Sequence, residues 1–333
     1  MHPDPITPGS ASPRRRWQIL LAGMVLADLA VCCLYAVGTL LLSASNTFAM
    51  LGLPSFFLVP AVGGLFASYI WRTLRLTIGA TCLNVLWMIL LALLGGAIAF
   101  HEGVICLLIV SPLFYVSALT GALLGRIWFK TYPTRLHVSV LPVLLLGVLA
   151  EPLTRAEQKR VVTDEILIHA PVSKVWPQLT SFPEIPSPPG FWLFRLGLPY
   201  PTATTSAGDF VNADRRCIFS HNAVFKESVA ELVPFKKLTF DIVESPKDPE
   251  LVGHLTLHRG QFVLRSNSDG TTTLAGSTWY TLHVRPAWYF DLWSRHIFRS
   301  VHLRVMENIR RRAESKPFDK VAQISNRRGQ GGN

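Results

Sequence analysis

The chain has 333 residues, 50% of them apolar and only 16% charged, with a positive mean hydropathy and a formal net charge of +11. So apolar a composition argues against a wholly soluble protein, and the length accommodates two domains. The basic surplus does not point to nucleic acid. It gathers at Arg14 to Arg16, at Arg72, Arg75, Arg126, Lys130 and Arg135 beside apolar runs, and between Arg310 and Arg328, with no interleaved basic and aromatic groove.

Acidic residues divide the chain: before Glu151 there are only Asp4, Asp28 and Glu102, whereas charges of both signs recur every few residues afterwards. A short amino-terminal segment, residues 1–16, leads into a transmembrane region spanning 17–150. Its five apolar segments lie at 17–42, 48–71, 76–100, 104–129 and 136–150. A hydrocarbon core about 30 Å thick needs roughly 20 helical residues. The first four segments meet that length. The fifth reaches only about 22 Å as a helix and must borrow its flanks or thin the bilayer. The first run is too long for a signal-peptide core.

The basic clusters fall at alternate ends of the segments, while the 43–47 and 101–103 connections carry no Lys or Arg. This predicts a multi-pass protein of the cell membrane with a cytoplasmic amino terminus. The uncharged stretch 141–150 favours a fifth crossing, which puts the following domain outside the cytoplasm. If that segment only lies at the interface, the domain is cytoplasmic. Ser117, Gly121 and Gly125 place small side chains on one helix face, suited to tight packing or to self-association. Asp28 is the one ionisable residue well inside a span, and a hydrogen bond to Asn84 at similar depth is expected. Four of the five cysteines lie in the apolar runs, so Cys217 has no disulfide partner within the soluble part.

From residue 160 the pattern changes to short alternating runs separated by turn signals. A strand is expected at 161–169, followed by a short helix with Pro171 in its first turn. A proline-rich irregular stretch runs from 181 to 201. Strands then follow at 208–219, 224–233, 237–245, 254–265 and 271–284, with Ser268-Asp269-Gly270 turning the last hairpin. A long helix covers 287–313. The tail, 315–333, reads as disordered and basic.

Three stretches carry a resemblance. They are Glu165-Ile166-Leu167-Ile168-His169-Ala170-Pro171-Val172-Ser173-Lys174-Val175-Trp176, Glu231-Leu232-Val233-Pro234-Phe235-Lys236-Lys237-Leu238-Thr239-Phe240, and Asp269-Gly270-Thr271-Thr272. In this order they resemble the START-like (SRPBCC) helix-grip superfamily, in particular its polyketide cyclase/dehydrase and lipid-transport branch. The likeness covers 160–314 and does not extend into the membrane half. It implies an α+β domain in which a curved antiparallel sheet wraps a long C-terminal helix, preceded here by an all-α transmembrane bundle. It also implies an apolar cavity between sheet and helix, and these motifs specify fold rather than a reaction.

On the last helix Phe290, Trp293, Ile297, Val301 and Val305 recur at spacings of three or four. With Arg215, the first four of these are the candidate ligand-binding residues. His258, Tyr280 and Glu227 are candidate acid/base residues, and His283 also lies on a strand. A one-residue slip of register would reverse which of them face inward. His254 and His258 would stand about 13 Å apart on a strand, so no metal site is assigned. Nucleophile elbows, phosphate loops and dinucleotide fingerprints are absent, and no cofactor is expected. The resemblance therefore implies membrane-anchored binding, transfer or sensing of a hydrophobic small molecule or lipid. A cyclase, dehydratase or hydrolase working in the same cavity is the alternative, and a membrane-anchored protein-interaction module the next.

Overall fold

The computed structural model describes residues 12–42, 54–100, 103–131, 158–248 and 254–315. The segment at 136–150 and the tail beyond Ser315 lie outside them. The first half is helical: α1 (Pro13–Leu42), a π-turn (Pro54–Leu58) running into α2 (Val59–Trp71), α3 (Ile78–Phe100) and α4 (Val104–Thr131). Among the described residues, four helical stretches are long and apolar enough to cross a membrane. Trp17, Leu21, Leu29, Trp87, Leu94 and Ile127 point outward and are exposed, leaving an apolar outer surface of the kind a bilayer would cover.

Small residues set the helix packing. A Cβ at Gly121 would lie 1.8 Å from the Ala61 carbonyl oxygen, and one at Gly64 would lie 1.9 Å from that of Ala118. The backbones of α2 and α4 therefore touch, which only glycine permits. Of the two uses expected for the Ser117/Gly121/Gly125 face, tight packing and self-association, the first is seen: α2 of the same chain packs against it. A correction concerns Asn84, whose amide donates to the Ala80 carbonyl of its own helix at 2.6 Å instead of reaching Asp28. Within α4, Pro112 deprives the Leu108 carbonyl of its helical donor, and the Ser111 hydroxyl donates to it at 2.9 Å.

The second half forms β1 (Gln158–Ile168), three one-turn helices α5 (Val172–Val175), α6 (Pro177–Thr180) and α7 (Trp192–Arg195), then β2 (Pro201–Ser206), β3 (Asp214–Phe219), β4 (Val224–Val233), β5 (Lys237–Glu244), β6 (Leu255–Ser266), β7 (Thr272–Leu282) and α8 (Ala287–Glu314). One antiparallel sheet has the order β1-β7-β6-β5-β4-β3-β2. It curls around α8 in a helix-grip fold. Met306 and Ile309 of α8 are fully buried in a core with Ile168, Val175, Leu179, Leu238 and Leu274. The β6–β7 hairpin turns at Gly270, with a φ of +82°, while Asp269 accepts from the Thr271 amide at 3.0 Å.

The strand expected at 208–219 is shorter than that, and a further strand that was not expected precedes it. β3 starts only at Asp214, and β2 occupies 201–206 at the sheet edge, where Pro201 opens the strand and its missing N–H breaks no central ladder. The preceding proline-rich stretch is irregular but anchored. Arg304 of α8 donates to the carbonyls of Pro201 and Ser187, both at 2.9 Å, and lies over the Tyr200 ring.

The two halves meet along the first turns of α8. The Tyr289 hydroxyl donates to the Ile109 carbonyl at 2.6 Å, one turn before Pro112, and the Phe290 and Phe56 rings are 5.3 Å apart. Leu193, Phe194 and Leu198 bury Ile105 and Ile109. The basic ends of the helices gather at the far end of the bundle, where the Trp71 indole donates to the Leu20 carbonyl and Arg126 bonds the Leu76 carbonyl.

Because the α2–α4 contact is backbone on backbone, Gly121→Val should destabilise the detergent-solubilised full chain by about 1–3 kcal/mol or more. Gly95→Ala, where an added Cβ meets nothing within 4 Å, should leave thermal unfolding unchanged or slightly raised. Equal melting of the two variants would contradict the packing described.

Candidate ligand cavity in the helix-grip domain

A hollow of about 130 Å³ lies between the concave face of the sheet and α8. Its body is apolar, with Phe240, Phe262, Ile297 and Val301 in the wall. Strand alternation turns Arg215 and Cys217 of β3, Glu227 of β4, Phe240 of β5, Gly260 of β6 and Thr278 of β7 inward. Gly260 makes room for its neighbour: a Cβ there would lie 2.4 Å from the Phe240 ring. The Arg215 guanidinium stacks 4.3 Å above that ring.

Arg215 also donates through Nε to the Thr180 carbonyl at 3.3 Å and pairs through Nη1 with the Glu227 carboxylate. The two side chains are 3% and 5% exposed, so the ion pair stands in a low-dielectric surround. Burial pushes the Glu227 pKa up and outweighs the opposing pull of Arg215. Burial, followed by the Glu227 charge, pushes the neighbouring Cys217 thiol up to about 12.

A second polar line reaches the hollow from the other side. His302 of α8 is buried, with Nδ1 2.9 Å from Asp164 Oδ2 and Nε2 2.7 Å from Thr278 Oγ1. Arg299 donates to the other Asp164 oxygen at 3.2 Å. Burial lowers the His302 pKa more than Asp164 raises it, so the ring is neutral. A carboxylate only accepts, so Nδ1–H donates to Asp164 and Nε2 accepts from the Thr278 hydroxyl.

The residues singled out from the sequence are dispersed. Arg215, Glu227, Ile297 and Val301 line this hollow. Phe290 and Trp293, with Ile297 again, line a different cavity of about 350 Å³ between α8 and the amino-terminal helices. Tyr280 is fully buried, donates its hydroxyl to Asp291 at 2.7 Å and packs on Phe298. Asp291 in turn accepts from Arg160 and Arg295. His258 is exposed on the outer surface, 2.8 Å from Thr281 Oγ1, because the register shifts between Leu257 and Arg259 and makes it the extra residue of a bulge. His283 lies by Thr256 at the strand end. Among the described residues no group of three metal-ligating side chains converges. Sequence reading missed Asp164, Thr278 and His302. The available signal was a histidine between Phe298 and Val305 on the buried side of a long helix.

Solved structures similar to the domain include a protein from Nitrosospira multiformis (18% identity, TM-score 0.32, covering 47% of this chain and 97% of that one). Norcoclaurine synthase from Thalictrum flavum is another (14% identity, TM-score 0.34, 49% and 99%), and has also been solved with dopamine and hydroxybenzaldehyde. A third is XoxI from Bacillus cereus (14% identity, TM-score 0.32, 46% and 94%). At such identities and scores the likeness bears on neither ligand nor reaction in this chain. No protein-family model matches the chain, and a search of curated proteins finds no relative.

Two outcomes test the electrostatics. Arg215→Met strands a buried carboxylate and should cost about 3–5 kcal/mol at pH 8, with part of the loss recovered on acidification as Glu227 takes a proton. His302 is neutral in the fold, whereas its unfolded imidazole protonates below 6.5. Its contribution is therefore fully present above that value and fades as pH falls through the lower folded pKa. Urea unfolding of the solubilised chain should show His302→Gln flattening this acid-side loss, by at most about 1.4 kcal/mol per pH unit.

Proposed function

We propose that this chain is a membrane-anchored binding protein whose helix-grip hollow takes a small apolar molecule bearing one acidic group. The buried Arg215–Glu227 pair in the apolar wall carries the reading. A buried ion pair is a poor source of stability, since well-packed apolar residues of similar volume often serve as well or better. Set against a hollow, it is better accounted for as ligand recognition. An incoming anion can replace Glu227 on the guanidinium while Glu227, its pKa already raised by burial, accepts a proton.

Volume restricts the class. A dry cavity of about 150 Å³ is known to hold benzene, so a hollow of this size suits a single ring rather than a membrane lipid. Transfer or sensing of such a molecule follows from the anchor, which keeps the hollow beside the bilayer in which an apolar ligand concentrates. The basic helix ends lie opposite the end that carries the domain, and basic ends favour the cytoplasm, so we assign the domain to the outer side.

The Asp164–His302–Thr278 line favours a second reading, an acid/base enzyme of the cyclase, dehydratase or hydrolase kind acting on the same ligand. Under that reading His302→Gln abolishes turnover and spares binding.

Calorimetry on the full chain in detergent should show benzoate binding more tightly than toluene, and more tightly at pH 6 than at pH 8 because Glu227 gains a proton. Arg215→Met should erase the preference, and Val301→Trp should abolish both. Binding of neither probe, or an unaltered preference in Arg215→Met, would refute the proposal. A phosphatase reporter fused after Asn333 should be active; a silent one, with a fluorescent fusion bright in the cytoplasm, would reverse the sidedness.

A further inference from the structure

The larger cavity takes no part in that reading. It lies where the bundle meets the foot of α8, about 350 Å³ in volume, with Met88 of α3 and Phe56 of the π-turn on the membrane side and Leu282, Phe290 and Trp293 on the domain side. That volume falls within the range of roughly 300–1,000 Å³ usual for small-molecule sites, which the hollow does not reach. Its wall is apolar almost throughout. The exception inside the bundle is Asp28 of α1, whose Oδ2 is closed off from solvent and has no hydrogen-bond partner among the described residues.

Eleven residues separate Asp28 from Trp17 at the basic end of α1. At 1.5 Å per residue this puts the carboxyl about 16 Å along the helix, near the middle of a hydrocarbon core. A carboxyl so placed is costly unless something pairs with it. Asn84 does not: its amide donates to Ala80, and the Asp28 Oδ2 atom receives no bond from it. The partner such a carboxyl calls for is a donor, reached through a chamber whose other polar side chains, His254 and Ser294, belong to the domain.

The geometry points to a second binding site, for an amphiphilic amine whose nitrogen meets Asp28 and whose apolar body fills the space up to Phe290 and Trp293. Charge balance favours an amine over an acid or an alcohol. A neutral amine crosses the bilayer as the free base; the carboxyl O–H transfers its proton to the nitrogen, and the ammonium–carboxylate pair that results carries no net charge. An acid would place two carboxyl groups together, and an alcohol offers one uncharged hydrogen bond. Because this site shares neither Arg215 nor Val301 with the hollow, it stands whether or not the hollow binds benzoate.

Native mass spectrometry of the full chain in phosphatidylcholine nanodiscs, with dodecylamine, dodecanol and dodecanoate as probes of equal length, tests the proposal. The wild type should retain the amine in preference to the other two. Asp28→Asn should weaken retention about tenfold or more, the value of a charge-assisted hydrogen bond. Ala92→Phe, which fills the cavity and keeps the carboxyl, should lower retention of every probe. Arg215→Met should change nothing here. Absence of amine retention by the wild type, equal retention of the three probes, a preference for the alcohol, or wild-type retention by Ala92→Phe would each overturn it.

Discussion

One helix has to be covered along its whole length, and by two different partners. At 28 residues α8 is about 42 Å long. The curled sheet buries its later turns, where Met306 and Ile309 are sealed against β1, β5 and β7. Its first turns carry Tyr289, Phe290 and Trp293 beyond the main core of the sheet, and they are apolar enough to need cover of their own. The amino-terminal helices supply it through Ile105, Ile109 and Phe56. Both cavities lie along this shared element, and Ile297 belongs to the wall of each.

Charge is handled in opposite ways along the helix. Asp291 is saturated by Tyr280, Arg160 and Arg295, and Asp164 by His302 and Arg299, so these carboxylates serve as anchors that tie β1 and β7 to α8. Glu227 shares its arginine with an open space, and Asp28 has one oxygen with no partner among the described residues. Saturated groups hold a fold, whereas groups with unused capacity next to a cavity are disposed to meet a ligand.

The fold was legible because its signals are local. The Ala170-Pro171 start of a helix, the Asp269-Gly270 turn and the three-and-four spacing on α8 each follow from residues a few positions apart. What escaped depends on distant geometry. A single bulge after Leu257 sends His258 outward, and no local pattern marks it. The prolines that correctly signalled irregular chain before residue 200 also hid β2, since Pro201 is acceptable on an edge strand. Depth along a helix can be counted from sequence but azimuth cannot, so Asp28 and Asn84 were matched in height while their side chains take different surroundings. Asp164 and His302 are 138 residues apart, and only the curling of the sheet around α8 brings them together.

The setting of Cys217 has a consequence for its reactivity. A thiol with its pKa pushed up to about 12 stays almost wholly protonated at pH 7, and it is the thiolate that reacts with disulfides and peroxides. A domain with one unpaired cysteine would ordinarily risk oxidation or unwanted cross-linking in a compartment without a reducing pool. Half-buried on the wall of the hollow beside Glu227, this sulfur is held in its protonated form. With its thiol held protonated, the lone Cys217 offers less thiolate to oxidants and disulfides than a freely exposed cysteine would.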